Sequence, residues 1–263
     1  MILKLGMPLN IFELESKSFL LDETDCLELR LPLPETDGLL RQLPVAVTCV
    51  HGPGLGISRP QREQECKEVE QVILFAAEYG IPMVNIHAGI TYRNRECRAE
   101  TLSWLVNSLR RLGAAAAEKN VVLAIENLFK YDCWVTASRE EAEKSGWIYP
   151  LTAEDMLELI EMVSPVPLAV TYDIGHSLFV RREPWNEIEK LAQHITNIHA
   201  HDNDGKSDHL PIDTAGDRFK KIIRCLCRIG YDAPVILEVN KQLSSPLAEI
   251  RKLRELEQMK VPH

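Results

Sequence analysis

Short apolar runs alternate with helical spacing eight times along the 263 residues, and this alternation narrows the available folds more than any other feature. The runs are Ile2–Gly6, Cys26–Leu31, Val45–Val50, Met83–Ile86, Val121–Ile125, Leu168–Tyr172, Ile195–Ala200 and Pro234–Leu237. Between them, apolar residues return at i, i+3, i+4 and i+7. Examples are Val69, Val72, Ile73 and Ala76; Leu102, Leu105, Val106 and Leu109; Met156, Leu159, Ile160 and Val163; and Phe219, Ile222, Ile223 and Leu226. That spacing gives a helix one apolar face. Shorter helices are expected around Asn10–Leu20 and Thr36–Leu43, and a last one over about Pro246–Met259. Gly80 and Gly230 stand where a left-handed cap closes a helix. Strands separated by helices pair in parallel, because parallel neighbours need crossover connections. Eight such units in a chain of about 260 residues fit a closed (β/α)8 TIM barrel. The alternative, an open doubly wound sheet, usually carries a glycine-rich phosphate turn after its first strand; Met7-Pro8-Leu9-Asn10 offers none. No Pro/Gly/Ser-rich linker divides the chain, so residues 1–263 read as a single α/β domain.

Charge and cysteine usage bound the function. With 30 Lys and Arg against 39 Asp and Glu, the net charge of −9 disfavours bulk attraction to nucleic acid or acidic lipid. No apolar run approaches the ~20 residues of a membrane span. Met1–Gly6 is too short for the apolar region of a signal peptide. The seven cysteines (Cys26, Cys49, Cys66, Cys97, Cys133, Cys225 and Cys227) are odd in number and contain no CxxC pair. A secreted disulfide framework is dense and even-numbered. The expected location is therefore cytoplasmic, with free thiols.

The third to eighth runs each end at or beside a histidine, aspartate or glutamate: His51, His87, Glu126, Asp173, His201 and Glu238. Parallel barrel strands point their C-terminal ends to one face, so residues distant in sequence are expected to meet there. All six are metal-ligand types. Strand parity puts Ala124 with Glu126 and Ile236 with Glu238. Carboxylates sharing a cavity repel unless a cation or proton lies between them, which is a physical reason to expect a divalent ion. Asp173 and His176 form a DIGH element in which Gly175 permits close backbone approach. His199 and His201 share parity, and the stretch from His199 to His209 holds three histidines among its aspartates. The same stretch lacks the closing glutamate of a calcium loop.

Taken in order, VNIHAG, LAIENL, TYDIGHS, HAHDND, DHLP and ILEV resemble the xylose-isomerase-like TIM-barrel superfamily over about residues 1–240. That group holds sugar and sugar-phosphate isomerases and epimerases, and the DNA-repair enzyme endonuclease IV. The resemblance implies one metal ion on Glu126, Asp173, His201 and Glu238, with Glu126 and Glu238 also moving protons. His176 would then hydrogen-bond a substrate oxygen. The endonuclease pattern adds an ion on His51, His87 and Glu126 and another on His176, an aspartate and His209. That pattern wants its aspartate where Ser207 stands; Asp208 is one place off, so a complete three-metal site is not expected.

The resulting expectation is an isomerase or epimerase of a sugar or sugar phosphate. It would use one to two ions of Zn²⁺ or Mn²⁺, act without nucleic acid or membrane, and pair as a homodimer through exposed helices. The alternative is an endonuclease IV-like phosphodiesterase acting on abasic DNA, and a third reading is a barrel that binds without catalysis. Lys206 and Arg59 are candidates to meet a phosphate. The stretch Phe129–Tyr149, with Tyr131, Trp134, Trp147 and Tyr149, is a candidate lid or sugar-stacking wall.

Overall fold

The computed structural model describes residues 2–10, 21, 23–31, 33, 40–55, 62–92, 98–129, 147–180 and 182–258. Eight parallel strands form a closed barrel: β1 (Lys4–Asn10), β2 (Cys26–Arg30), β3 (Ala46–His51), β4 (Met83–Ile86), β6 (Val122–Glu126), β8 (Ala169–Asp173), β9 (Ile195–Ala200) and β10 (Pro234–Leu237). Their order around the barrel is β1-β10-β9-β8-β6-β4-β3-β2. Two further strands, β5 (Ile90–Tyr92) and β7 (Trp147–Tyr149), make a separate antiparallel pair with Ile90 opposite Tyr149. Among the described residues the helices are α1 (Arg62–Glu78), α2 (Arg98–Glu118), α3 (Ala153–Val163), α4 (Ile174–Phe179), α5 (Pro184–Leu191), α6 (Arg218–Ile229) and α7 (Pro246–Gln258).

All eight expected barrel strands are present, with shifted ends. β3, β6 and β8 each run one residue further than the apolar run, so His51, Glu126 and Asp173 are terminal strand residues. The first strand extends to Asn10, where the sequence reading stopped at Gly6. Pro8 lies inside it. β1 pairs with β10 only as far as Gly6, so beyond that point an N–H on the β10 side has no ladder to join. Pairing with β2 continues from Gly6–Cys26 to Asn10–Arg30. The helix expected over Asn10–Leu20 lies outside the described residues after Asn10. Of Thr36–Leu43, the described part holds a single 3₁₀ turn, Leu40–Gln42. The β5–β7 pair was not expected, since three-residue strands carry too few alternations to read.

Helix ends follow their local chemistry. Thr152 caps α3 in a capping box with Asp155. Gly230 ends α6 at φ 71°, its N–H bonded back to Leu226 and Cys227 carbonyls.

The chain divides into two compact units: Met1–Cys49 with Tyr172–His263, and Val50–Thr171. In the first, Met7, Leu9, Leu21 and Leu27 form a buried cluster against which Leu43, Val45 and Val47 pack. The apolar stripes of α6 (Phe219, Ile222, Ile223, Leu226) and α7 (Leu247, Ile250, Leu253, Leu256) are buried. In the second, the buried stripes are those of α1 (Val69, Val72, Ile73, Ala76), α2 (Leu105, Val106, Leu109, Leu112) and α3 (Met156, Leu159, Val163). Among the described residues no helix is long and apolar enough to cross a membrane.

Gly6 tests the packing of β1. A Cβ there would come within 2.6 Å of Cys26 Sγ, 2.7 Å of the Cys26 carbonyl and 2.7 Å of Ile236 Cδ1. Gly6→Ala is therefore expected to cost about 1–3 kcal/mol, as overpacking of a filled core does. The measurement is the urea midpoint, and an unchanged value would show that β1 does not pack as described.

Candidate functional site

In the second unit, β3 ends on His51, β6 ends on Glu126, and His87 directly follows β4. Glu126 is 1% exposed. One of its oxygens is 3.1 Å from His87 Nε2. The other is 3.4 Å from His51 Nε2 and accepts a 2.7 Å hydrogen bond from the Asn85 amide. The two imidazoles meet edge to face, 4.9 Å between centroids. Backbone pairing steadies both: Gly52 N–H donates to the Asn85 carbonyl and Leu55 N–H to that of His87.

His51 Nδ1 sits 3.1 Å from the Gly52 carbonyl, a contact that favours the proton on Nδ1. Its Nε2 lone pair then faces the Glu126 carboxylate, an arrangement that is repulsive unless a cation stands between them. His51, His87 and Glu126 each offer one ligand-type atom within 4.8 Å of the others. The donor chemistry fits a divalent ion.

The first unit holds a larger cluster. Asp173 ends β8 and caps α4, accepting the His176 N–H at 2.7 Å. α4 is pinned from behind: the Tyr172 hydroxyl donates to Glu187 at 3.0 Å and the Ser177 hydroxyl donates to it at 3.2 Å. Burial, with the Glu187 charge beside it, holds the Tyr172 hydroxyl well above its usual pKa. β9 turns Asn197 and His199 to one face, and His201 follows with the same parity. His201 Nε2 lies 3.1 and 3.2 Å from the two Asp173 oxygens. Gly175 makes this approach possible, because a Cβ there would fall 1.8 Å from His201 Cε1. Asp173, His176 and His201 form one ligand-type group, and His201, Asp208 and His209 another.

Asp208 stands one place from where the endonuclease pattern wants its aspartate, and it contacts two histidines. Its oxygens reach His201 Nδ1 at 3.2 Å and His209 Nδ1 at 3.2 Å. His209 takes a left-handed backbone at φ 53°. The His209 ring stacks on His201, 4.2 Å between centroids and 7° between planes. His209 Nε2 then lies 3.6 Å from Glu238 Oε2.

Burial opposes charge on His201 most strongly, but the Asp173 and Asp208 carboxylates override it and raise its pKa from 6.5 to about 9. For Asp208, burial pushes upward, and the His209 hydrogen bond with the His201 and His209 charges brings the net shift below the usual carboxylate value.

The expected site residues thus gather in two places. His51, His87 and Glu126 meet in the second unit; Asp173, His176, His201, His209 and Glu238 meet in the first. His176 is 3% exposed, with its Nε2 3.8 Å from Asp173 Oδ2. Asp202, by contrast, serves the loop: it accepts the Asn203 and Asp213 N–H groups and pairs with Arg218. Lys206 is exposed, and its N–H caps Asp204. Arg59, Tyr131 and Trp134 lie outside the described residues.

Four polar residues were missed: Asn85, Asn197, Glu28 and Arg30. Glu28 is fully buried and accepts from Asn197 Nδ2 at 3.1 Å. It also lies 2.9 Å from His199 Nε2. The signal was present in CLELRL, where Cys26, Glu28 and Arg30 share one face and Leu27 and Leu29 the other.

A family model described as a xylose isomerase-like TIM barrel matches residues 13–256. The uncharacterised protein MJ1311 of Methanocaldococcus jannaschii is 33% identical over 109 residues, 40% of this chain and 36% of that one. A second M. jannaschii protein, MJ1188, is 24% identical over 74% of this chain and 66% of its own. The chain thus spans about one third to just under two thirds of these curated relatives. Among solved structures, a D-tagatose 3-epimerase-like protein superimposes with a TM-score of 0.76 at 21% identity, covering 98% of both chains. An L-ribulose 3-epimerase gives 0.73 at 16% identity, covering 98% of this chain and 94% of its own. Likeness at these identities establishes the fold.

A folded-state pKa above the ordinary value means that protonated His201 stabilises the metal-free protein. That contribution is fully present below pH 6.5 and is lost as pH rises through about 9. Metal ligation needs the deprotonated ring, so affinity for a divalent ion is expected to climb over the same range. Melting curves and zinc titrations across pH check both slopes, and His201→Gln is expected to flatten them. Slopes of opposite sign would overturn the assignment.

Proposed function

Because the chain belongs to the xylose isomerase-like TIM-barrel family, we propose that it is a divalent-metal-dependent isomerase or epimerase of a sugar or sugar phosphate. The observation that carries this reading is the pairing of buried imidazoles with buried carboxylates at strand ends in each unit. The epimerase names among the structurally similar proteins lend it support.

The residues proposed as ligands are Asp173, His201, His209 and Glu238 in the first unit and His51, His87 and Glu126 in the second. Imidazole with carboxylate suits Zn²⁺ or Mn²⁺ better than Ca²⁺, and one to two ions are proposed. When bound, such an ion supplies Lewis-acid stabilisation of negative charge developing on substrate oxygens. The chain's own work is proton handling. Glu238 and Glu126 are proposed to take a proton from carbon beside a carbonyl and to return one. Asn85 holds one Glu126 oxygen by hydrogen bond, so the carboxylate keeps a fixed orientation. Arg30 does the corresponding service for Glu238, with which it pairs directly. His176 is proposed to hydrogen-bond a substrate oxygen. Burial of both glutamates keeps bulk water from the abstracted proton.

A second reading, metal-assisted hydrolysis of a phosphodiester in abasic DNA, is favoured by one observation. Asp208 joins His201 and His209 in a further ligand-type group, beyond what a single-ion site requires. Its weakness is the net charge of −9.

Metal content, turnover of free ketoses followed by NMR, and cleavage of an abasic oligonucleotide separate the two. One or two bound ions are expected, with sugar turnover that falls by roughly 10²–10⁴-fold in kcat in both Glu126→Gln and Glu238→Gln. Oligonucleotide cleavage lost in both variants would transfer the assignment to the second reading. Full metal loading with neither activity would remove both.

A further inference from the structure

The mechanism leaves most of a buried polar ring in the first unit unexplained. Glu28 and Arg30 stand two residues apart on the same face of β2, which the barrel order separates from β10 by β1. On that face of β1, Gly6 pairs with Cys26 and Ile236, Pro8 with Glu28, and Asn10 with Arg30. The long β2 side chains reach past them. Glu28 meets Asn197 and His199 of β9. Arg30 lies 3.3 Å from Glu28 Oε1 through its Nε and pairs with Glu238 through a terminal nitrogen. His199 Nδ1 lies 3.3 Å from Glu238 Oε1 and closes the circuit. Carboxylates alternate with nitrogen bases around it: Glu28, Arg30, Glu238, His199 and back to Glu28.

A carboxylate 2.9 Å from an imidazole nitrogen demands a proton between them. Glu28 therefore holds that proton on Nε2 of His199. The Nδ1 lone pair is then aimed at Glu238 Oε1 and, at 3.9 Å, Asp173 Oδ2. A lone pair facing two carboxylates is favourable only with a cation among them.

The geometry points to Glu28 and Arg30 as positioning residues of the proposed metal site. Glu28 fixes the His199 tautomer that adds Nδ1 as a further ligand beside Asp173 and Glu238, and Arg30 steadies Glu238 while offsetting part of its charge. This rests on the metal-dependent reading above, but the two residues act in opposite directions on ion affinity. Removing Glu28 releases the tautomer, as loss of the carboxylate behind a metal-ligating histidine does. Removing Arg30 takes a positive charge from beside a ligating carboxylate and strengthens attraction for the ion.

The test uses the full chain, loaded with zinc and labelled with ¹⁵N-histidine. Long-range ¹H–¹⁵N correlation is expected to show His199 protonated on Nε2 and without a proton on Nδ1. Glu28→Gln is expected to mix or invert that pattern and to weaken Zn²⁺ binding by about 10–100-fold, measured calorimetrically. Arg30→Gln is expected to tighten Zn²⁺ binding; a merely structural role would weaken it in both variants. Nδ1–H on His199 in the unmodified protein would overturn the proposal. So would a Glu28→Gln protein that keeps both tautomer and affinity, or an Arg30→Gln protein that binds zinc more weakly. If Glu28→Gln does not fold, the unmodified tautomer and Arg30→Gln decide. None of these readouts needs a sugar, so absent turnover with the tautomer and the opposed zinc effects intact would count against the isomerase reading alone.

Discussion

Buried negative charge is the constraint to which the first unit answers. Glu28, Asp173, Asp208 and Glu238 are all buried there. Taking one carboxylate out of water costs several kcal/mol unless a counter-charge or hydrogen-bond donors replace the solvent. The chain meets that cost locally. Asp173 takes a helix N–H, Asp208 the His209 N–H, Glu28 an amide, and Glu238 a guanidinium. Histidines fill the remaining contacts, because imidazole can supply a proton, accept one or yield the position to a metal. An apolar core would be more stable and chemically inert; the polar one gathers ligand-type groups. The second unit repeats the logic on a smaller scale, with Asn85, His51 and His87 around Glu126.

Much of this was legible in the sequence. The alternation of apolar runs with helical spacing identified all eight barrel strands, and polar residues at their ends contact one another within each unit. The reason is that a strand end at the C-terminal rim leaves the apolar layer at a definite residue, so the change from Ile or Tyr to His, Glu or Asp marks both the boundary and the site. The strand β2 is legible from its alternation, but the burial of its charged face is not. Alternating Leu and charged residues usually mean one face in a core and the other in water. In a closed barrel both faces are covered, so the charged face of Cys26, Glu28 and Arg30 turns inward. Asn85 and Asn197 escaped for a related reason: an amide inside a strand carries no charge signal, and only a buried carboxylate opposite it gives it work.

The aspartate offset in the DHLP element shows how spacing can mislead in a loop. On a strand, a shift of one residue sends a side chain to the opposite face. Between Asp202 and Leu210 the chain is an irregular loop closed by an antiparallel bridge, in which the two residues exchange N–H and carbonyl bonds. Inside that closure His209 adopts a left-handed backbone. Asp208, one residue before it, reaches both rings. Residue spacing therefore transfers reliably along β8 and β9 and poorly across this loop.

Within β9 itself, spacing leaves a choice that only anchoring resolves. His199 and His201 share parity and burial, yet their rings are held by opposite nitrogens. Glu28 engages His199 at Nε2, while Asp208, the Asp202 carbonyl and the His209 N–H surround His201 at Nδ1. Each ring then turns its other nitrogen toward Asp173: His201 Nε2 at 3.2 Å and His199 Nδ1 at 3.9 Å from the same oxygen, Oδ2. Two imidazoles anchored from different sides and converging on one carboxylate make Asp173 the fixed point of the first unit's cluster. That carboxylate is also the cap of α4 and is held by its N-terminal backbone. Asp173, held by the helix backbone, is thus the carboxylate to which both rings are referred.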